Sequence, residues 1–247
     1  MLEIVVEDAK FWRSCIEAIV NLIDEGVLEA KADGISLKAM DPSQIAMVSF
    51  SIPKGSFSSY RVDEATKLGL NFEDLAKILS RTREKERLRM TLEENKLDLE
   101  FSGDTRRKFK VPLLDISAGP QKEPKIDYDA IVRVNGGQFK EILRDVSLVS
   151  SHIVLEATEK GFYVNAKGDS MDLRVESEKA TPMIAELNVR KPARATFPLE
   201  FLDNIAKACP SEAQLTLHLK TNAPVKVEYA IGDASLTYYL APRIETA

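Results

Sequence analysis

Leu28-Glu29-Ala30-Lys31-Ala32-Asp33-Gly34-Ile35-Ser36-Leu37 and Leu155-Glu156-Ala157-Thr158-Glu159-Lys160-Gly161-Phe162-Tyr163-Val164 stand 127 residues apart and read alike. Each alternates apolar and polar residues around a short charged turn with a glycine, the pattern of a β-hairpin with one buried face. Working outward from them, the self-match continues at offsets of 127–129 residues. Phe11 leads an amphipathic helical run (Phe11, Cys15, Ile16, Ile19, Leu22, Ile23), and Phe139 leads another (Phe139, Ile142, Leu143, Val146). Asp41 and Asp169 each lie 30 residues beyond their phenylalanine. Asn71–Leu79 parallels Pro198–Ala206, both helical with a capping-type start. Leu88, Met90 and Leu92 then parallel Leu215, Leu217 and Leu219, and Leu97–Phe101 parallels Val225–Tyr229, each followed by a Gly-Asp turn and a closing strand. The chain is therefore expected to be α+β, with two tandem copies of one domain. Short connections imply antiparallel sheets, with the two helices of each copy gathered on one face.

Between the copies lies Ser117-Ala118-Gly119-Pro120-Gln121-Lys122-Glu123-Pro124-Lys125, polar and bearing Pro and Gly, hence an exposed connector. The expected division is 1–115, a connector at 116–129, and 130–247. Ile126 and Tyr128 are apolar residues whose place on a linker calls for a reason.

Composition excludes several classes of function. The 247 residues are 30% charged and 44% hydrophobic, and no run approaches the ~20 apolar residues of a membrane span. The start, Met1 to Glu7, is acidic and alternating, unlike a signal peptide, so an intracellular protein is expected. Cys15 and Cys209 sit in apolar helical contexts and read as packing thiols, and His152 and His218 lack any partner at metal-ligand spacing. Gly136-Gly137 is an isolated pair marking a turn before a helix, not a phosphate loop. Asp33, Asp41 and Asp63 each sit where a turn favours Asp for backbone reasons. No catalytic constellation, cofactor or metal site is expected, and the chain reads as a non-enzyme.

The net charge of −5 argues against nucleic acid only if the charges are evenly spread. The helical segments and their ends carry Lys10 and Arg13; Lys77, Arg81 and Arg83; Lys140 and Arg144; and Lys207. Lys77/Arg81 and Lys140/Arg144 are spaced i, i+4, one helix face each. Gathered on one side of the sheets, these residues would make a stripe that contacts phosphates without reading bases; ordinary solubilising lysines and arginines explain the spacing equally well. A second segregation concerns strands. Arg106-Arg107-Lys108-Phe109-Lys110 is a basic edge closing the first copy, and its counterpart, around Asp172, Arg174, Glu176 and Glu178, is mostly acidic. Such edges suit head-to-tail pairing between protomers, which closes a ring when the rotation allows; gatekeeping charges on unpaired edges are the alternative.

The stretch Gly34-Ile35-Ser36-Leu37-Lys38-Ala39-Met40-Asp41-Pro42-Ser43-Gln44-Ile45-Ala46-Met47-Val48 and the ending Tyr238-Tyr239-Leu240-Ala241-Pro242-Arg243-Ile244-Glu245 resemble the proliferating cell nuclear antigen family, its archaeal members above all. The resemblance spans essentially the whole chain. It implies a homotrimeric sliding clamp, six similar domains around a helix-lined channel that encircles double-stranded DNA topologically and without sequence preference. It implies a processivity factor for DNA polymerase that also recruits flap endonuclease, DNA ligase and repair proteins, and that a clamp loader opens with its own ATP. In that family partners dock a short peptide beneath the connector. Carried over, the pocket is Met40, Ile45, Met47, Ile126, Tyr128, Pro224, Tyr239, Ala241 and Pro242, and two methionines suit a pocket that must repack around different ligands. Ser14, Ser80 and Glu141 depart from the family at positions facing DNA that tend to be basic. The end soon after Tyr239, without a nuclear signal, fits an archaeal cytoplasm. The alternatives left standing are one subunit of a heterotrimeric clamp and a metal-dependent nucleic-acid enzyme.

Overall fold

The computed structural model describes residues 1–116, 119, 121–179 and 181–243. Ser117, Ala118 and Pro120 of the connector and Ile244 and Glu245 of the closing motif lie outside the described residues, as do Ala180, Thr246 and Ala247. The chain divides into one unit of Met1–Pro42, Val48–Lys122 and Ile231–Leu236 and a second of Ser43–Met47, Glu123–Ala230 and Thr237–Ala247.

The first half runs β1 (Leu2–Val6), α1 (Ala9–Val20), β2 (Glu25–Lys31), β3 (Gly34–Met40), β4 (Ala46–Pro53), β5 (Ser59–Val62), β6 (Thr66–Asn71), α2 (Phe72–Leu79), β7 (Arg87–Glu93), β8 (Lys96–Ser102) and β9 (Arg106–Pro112). The second runs β10 (Ala130–Asn135), α3 (Gly136–Ser147), β11 (His152–Thr158), β12 (Gly161–Lys167), β13 (Asp172–Glu178), β14 (Ile184–Val189), β15 (Ala193–Pro198), α4 (Leu199–Lys207), β16 (Gln214–Leu219), β17 (Val225–Ile231) and β18 (Ala234–Leu240). In the first unit the strands lie in the orders β5-β1-β7-β8-β9 and β4-β3-β2-β6; in the second, β13-β12-β11-β15 and β14-β10-β16-β17-β18. Both hairpins quoted at the outset form, with Ala30 opposite Ile35 and Ala157 opposite Phe162.

Period-2 alternation places every second residue inside, as in β1 (Leu2, Ile4 and Val6 buried) and β16 (Leu215, Leu217 and Leu219 buried). Trp12, Phe72 and Phe101 fill the first core, and Phe139, Phe162, Phe197 and Tyr238 the second. Each fully buried aromatic contributes on the order of 2–3 kcal/mol of apolar transfer free energy.

The helix pairs are built alike. The α2 N-terminus is tied to the segment between α1 and β2 by Phe72 N–H to Asp24 O (2.7 Å), and the α1 N-terminus to the segment between α2 and β7 by Ala9 N–H to Glu86 O (2.8 Å). In the second unit Leu199 N–H to Ser151 O and Gly136 N–H to Ala213 O, each 2.9 Å, do the same. Both pairs are therefore antiparallel, and each bond satisfies a helix-terminal N–H. Asp8, Asn71 and Asn135 cap three helices by accepting the N–H of Lys10, Asp74 and Gln138.

Four expectations need correction. Gly136-Gly137 is not a turn before α3 but its first two residues, capped by Asn135, and Gly136 packs so closely that a Cβ there would lie 2.7 Å from Cys209 Sγ. The α4 start at Pro198 has no side-chain cap; the Ser151 carbonyl serves instead. Helix α2 ends at Leu79, so Arg81 and Arg83 lie in the turn beyond it rather than on its face. In chain order the acidic strand β13 is the counterpart of β4, and basic β9 is the counterpart of β18.

Just past β9, Leu114 N–H donates to Gly69 O at 2.9 Å. A Cβ at Gly69 would stand 2.1 Å from Leu114 O, so a residue without a side chain is needed for the chain to lie flat on β6.

Candidate nucleic-acid interface and partner-binding surfaces

The eight basic residues expected to face phosphates all sit on helices or on the turn that follows α2. On α1, Lys10 pairs with Glu84 and Arg13 Nε with Glu17 at 2.7 Å. On α2, Lys77 pairs with Asp74 at 3.0 Å. Past its end, Arg81 is exposed, and Arg83 donates its backbone N–H to Glu86 (2.8 Å) and a guanidinium N–H to Thr105 Oγ1 (3.2 Å). In the second unit Lys140 donates to Cys209 O at 2.8 Å, and Arg144 pairs with Glu141 at 2.5 Å. Lys140, Arg144 and Lys207 border one cleft between α3 and α4, of about 760 Å³, shared with Glu200, Asp203 and His152. The helix surfaces are mixed in charge, because an acid stands within reach of most of these bases.

Most of the expected pocket residues fall in the second unit. The connector's last residues are fastened there: Arg190 pairs with Asp127 at 2.5 Å, Lys220 donates to Asp127 O at 3.1 Å, and Asp129 N–H to Leu219 O at 3.0 Å. Tyr128 packs against His218, ring centroids 5.6 Å apart. Its hydroxyl is buried and has no hydrogen-bond partner among the described residues. Burial and the nearby Glu228 push that phenol's pKa up. The Tyr239 hydroxyl donates to Glu123 Oε2 at 3.0 Å, and burial together with that carboxylate raises its pKa as well. Ala241 N–H reaches Ile45 O at 2.9 Å, which joins the segment of Ile45 and Met47 to the C-terminal residues. Met47 and Tyr239 are buried, whereas Ile45, Ile126, Pro224, Ala241 and Pro242 are half-buried. Met40 belongs to the first unit, at the end of β3, and is 36% exposed.

Strands β9 and β13 each close one side of their sheet and share one exposure pattern, with every odd-placed residue outward. Across from β9, Glu100 takes Lys108 (2.8 Å) and Arg106 (3.2 Å), and Lys110 reaches Glu93 (3.0 Å) and Asp98 (3.3 Å). Arg107 points inward, 2.6 Å from Glu86 and over the Phe101 ring at 5.0 Å, while Phe109 meets the same ring edge-on. On β13, Arg174 lies over Tyr163 and pairs with Glu176 at 2.5 Å. Four bases and no acid stand on β9 against one base and three acids on β13.

Residues 1–118 match the model of the proliferating cell nuclear antigen N-terminal domain, and residues 122–244 that of its C-terminal domain. The chain belongs to the proliferating cell nuclear antigen family. Among its relatives is a protein of Methanococcus maripaludis named DNA polymerase sliding clamp, 37% identical over 95% of this chain and 96% of that protein. A Thermofilum pendens protein of the same name is 32% identical over 99% and 100%. The proliferating cell nuclear antigen of Thermococcus kodakaraensis, 24% identical, shares the fold with a TM-score of 0.94 over 98% of this chain and all of that one. A solved complex of the FEN-1 C-terminal region with A. fulgidus proliferating cell nuclear antigen matches at 28% identity and a TM-score of 0.91 over all of both chains.

Within this member of the family, some contacts have no signal in the sequence read alone. Glu123, His218 and Glu228 were not among the expected site residues, yet they hold Tyr239 and Tyr128. The positions of His218 on β16 and Glu228 on β17, between buried neighbours, follow from period 2; their meeting, and that of Glu123 with Tyr239, do not. His218 Nε2 lies 2.6 Å from Glu228, whose pKa is lowered to about 2, chiefly by that hydrogen bond and further by Lys226. Both cysteines are buried thiols with raised pKa values, about 12 for Cys15 and about 11 for Cys209, the effect of burial. Among the described residues no group of His, Cys, Asp or Glu is arranged to hold a metal ion, and no helix is long and apolar enough to cross a membrane.

Proposed function

We propose that this chain is a DNA polymerase sliding clamp and not an enzyme. Three copies close a ring around duplex DNA in an archaeal cytoplasm, domains 1–115 and 130–247 joined by the connector at 116–129. The observation that carries the reading is the end-to-end match, at 37% identity, to a protein of that name. The helices supply weak, mobile phosphate contacts, which suits sliding; topology rather than affinity retains the clamp. The half-buried residues Ile45, Ile126, Tyr128, Pro224, Ala241 and Pro242, together with buried Tyr239 and Met47 and with Met40, take short client peptides. Clients are the polymerase, the clamp loader, ligase and a flap endonuclease, the last in keeping with the FEN-1 segment bound to the A. fulgidus relative. Strand β9 pairs with β13 of the neighbouring copy, basic edge to acidic edge.

Light scattering on the purified chain tests the ring: a mass three times 27.5 kDa is expected, and a monomer at micromolar concentration would assign the chain to a heterotrimeric clamp instead. Primer extension on circular template, with cognate polymerase and loader, then reads processivity.

A further inference from the structure

We propose that phosphate contact in the first unit is confined to one end of its helix pair, a deepening that rests on the clamp reading above. Because α1 and α2 are antiparallel, the start of α1 and the turn after α2 form one end, and the end of α1 and the start of α2 form the other. The first end carries Lys10, Arg81, Arg83 and Lys85, set against Asp8, Glu84 and the buried Glu86. The second carries Asp24, Glu25, Glu73 and Asp74 and no base. Between them stand Lys77, held by Asp74, and the Arg13–Glu17 ion pair of α1. The eight residues of α2 span about 12 Å, more than the roughly 8 Å over which charges remain unscreened at physiological salt, so the two ends present separate fields.

Helix dipoles alone do not produce this order. Acids in the first turn of α2 and bases at its end stabilise that helix, and α4 follows the same rule with Glu200 and Lys207. Helix α1 runs against it: Lys10 and Arg13 occupy its N-terminal half and Glu17 its C-terminal half, with no acid in the first turn and no base in the last. Reversed charges on an antiparallel partner are what make the two ends coherent. A duplex laid on this pair is held at the end of Arg81 and Arg83, out of screening range of Asp24 and Glu73, so it is seated off the middle of the helices.

The test measures association of the intact protein with a short fluorescent duplex by anisotropy, from about 50 to 200 mM salt, comparing wild type with R81A/R83A and D24N/E73Q. Each phosphate contact contributes about 0.9 to the slope of log Kobs against log salt. R81A/R83A is expected to flatten the slope by about 1–2 and weaken binding. D24N/E73Q is expected to leave the slope unchanged and shift affinity by less than about twofold, since those carboxylates lie beyond screening distance of the seated phosphates. The inference is overturned if D24N/E73Q tightens binding as much as R81A/R83A weakens it, or if R81A/R83A leaves the slope intact. A wild type with no salt-dependent association would instead overturn the placement of DNA on these helices altogether. All four positions are exposed, and thermal unfolding of each variant separates a charge effect from misfolding.

Discussion

Replacing Glu86 with alanine strikes the most deeply placed ion pair in the first unit. Glu86 is 2% exposed, accepts the Arg83 backbone N–H at 2.8 Å, and lies 2.6 Å from Arg107, whose side chain is 19% exposed beneath β9. Removing one partner of such a pair leaves a desolvated guanidinium, at a cost of about 3–5 kcal/mol. Since Arg107 keeps some contact with water, about 3 kcal/mol is the appropriate figure. At about 2–4 °C per kcal/mol for a chain of this size, the unfolding midpoint should drop by roughly 6–12 °C. Calorimetry of wild type, E86A, R107L and E86A/R107L gives the cycle, and the double variant should recover part of the loss because no charge is left stranded. The Glu86 carboxyl is pulled two ways: burial raises its pKa, while the Arg83 N–H and Arg107 outweigh it and set it below the ordinary 4.5. A depressed folded pKa means the stabilisation is present above the ordinary carboxylate range and disappears as pH falls through the folded value, so the gap between wild type and E86A should close in acid. A drop under about 2 °C at neutral pH, or a double variant less stable than E86A, would refute the assignment.

Charge reversal of the outward pair, R106E/K108E, should shift the trimer toward monomer in light scattering without the thermal penalty of E86A; a persistent trimer would remove β9 from the subunit interface. Tyr239→Phe deletes a hydrogen bond to a carboxylate, of the kind that contributes about 1.5–3 kcal/mol, and should weaken binding of a client peptide about tenfold or more by calorimetric titration while ring mass is unchanged. The Glu228 carboxylate, lowered from 4.5 to about 2, stabilises the second unit above pH 4.5 and loses that contribution as pH falls toward 2; in E228Q, acid unfolding followed by Tyr fluorescence should begin from a less stable neutral state and show less pH dependence across that window.

Both helix pairs and both quoted hairpins were legible, because amphipathic and alternating periods are local properties of the chain. The end of α2 was not: Ser80-Arg81-Thr82-Arg83 contains no glycine or proline, and the helix stops where Ser80 Oγ takes the Lys77 carbonyl and Arg81 N–H the Ile78 carbonyl. The identity of ion-pair partners was likewise hidden. Arg107 reads from sequence as one more base on a charged edge, yet its odd-even position turns it inward, and only the fold delivers Glu86 to meet it. Glu123 and Tyr239 lie 116 residues apart, a distance no periodicity spans.

The four main-chain bonds that lock the helix pairs, from Ala9, Phe72, Gly136 and Leu199, involve no side chain. The frame of each unit is thus indifferent to what its helices display. Exposed positions can be rewritten by mutation without disturbing register, which makes the two halves a repeated scaffold whose surface is free to diverge. Charge polarity in one half and a near-neutral cleft in the other are two outcomes of that freedom, and a designer could set either pattern anew by substituting solvent-facing residues alone.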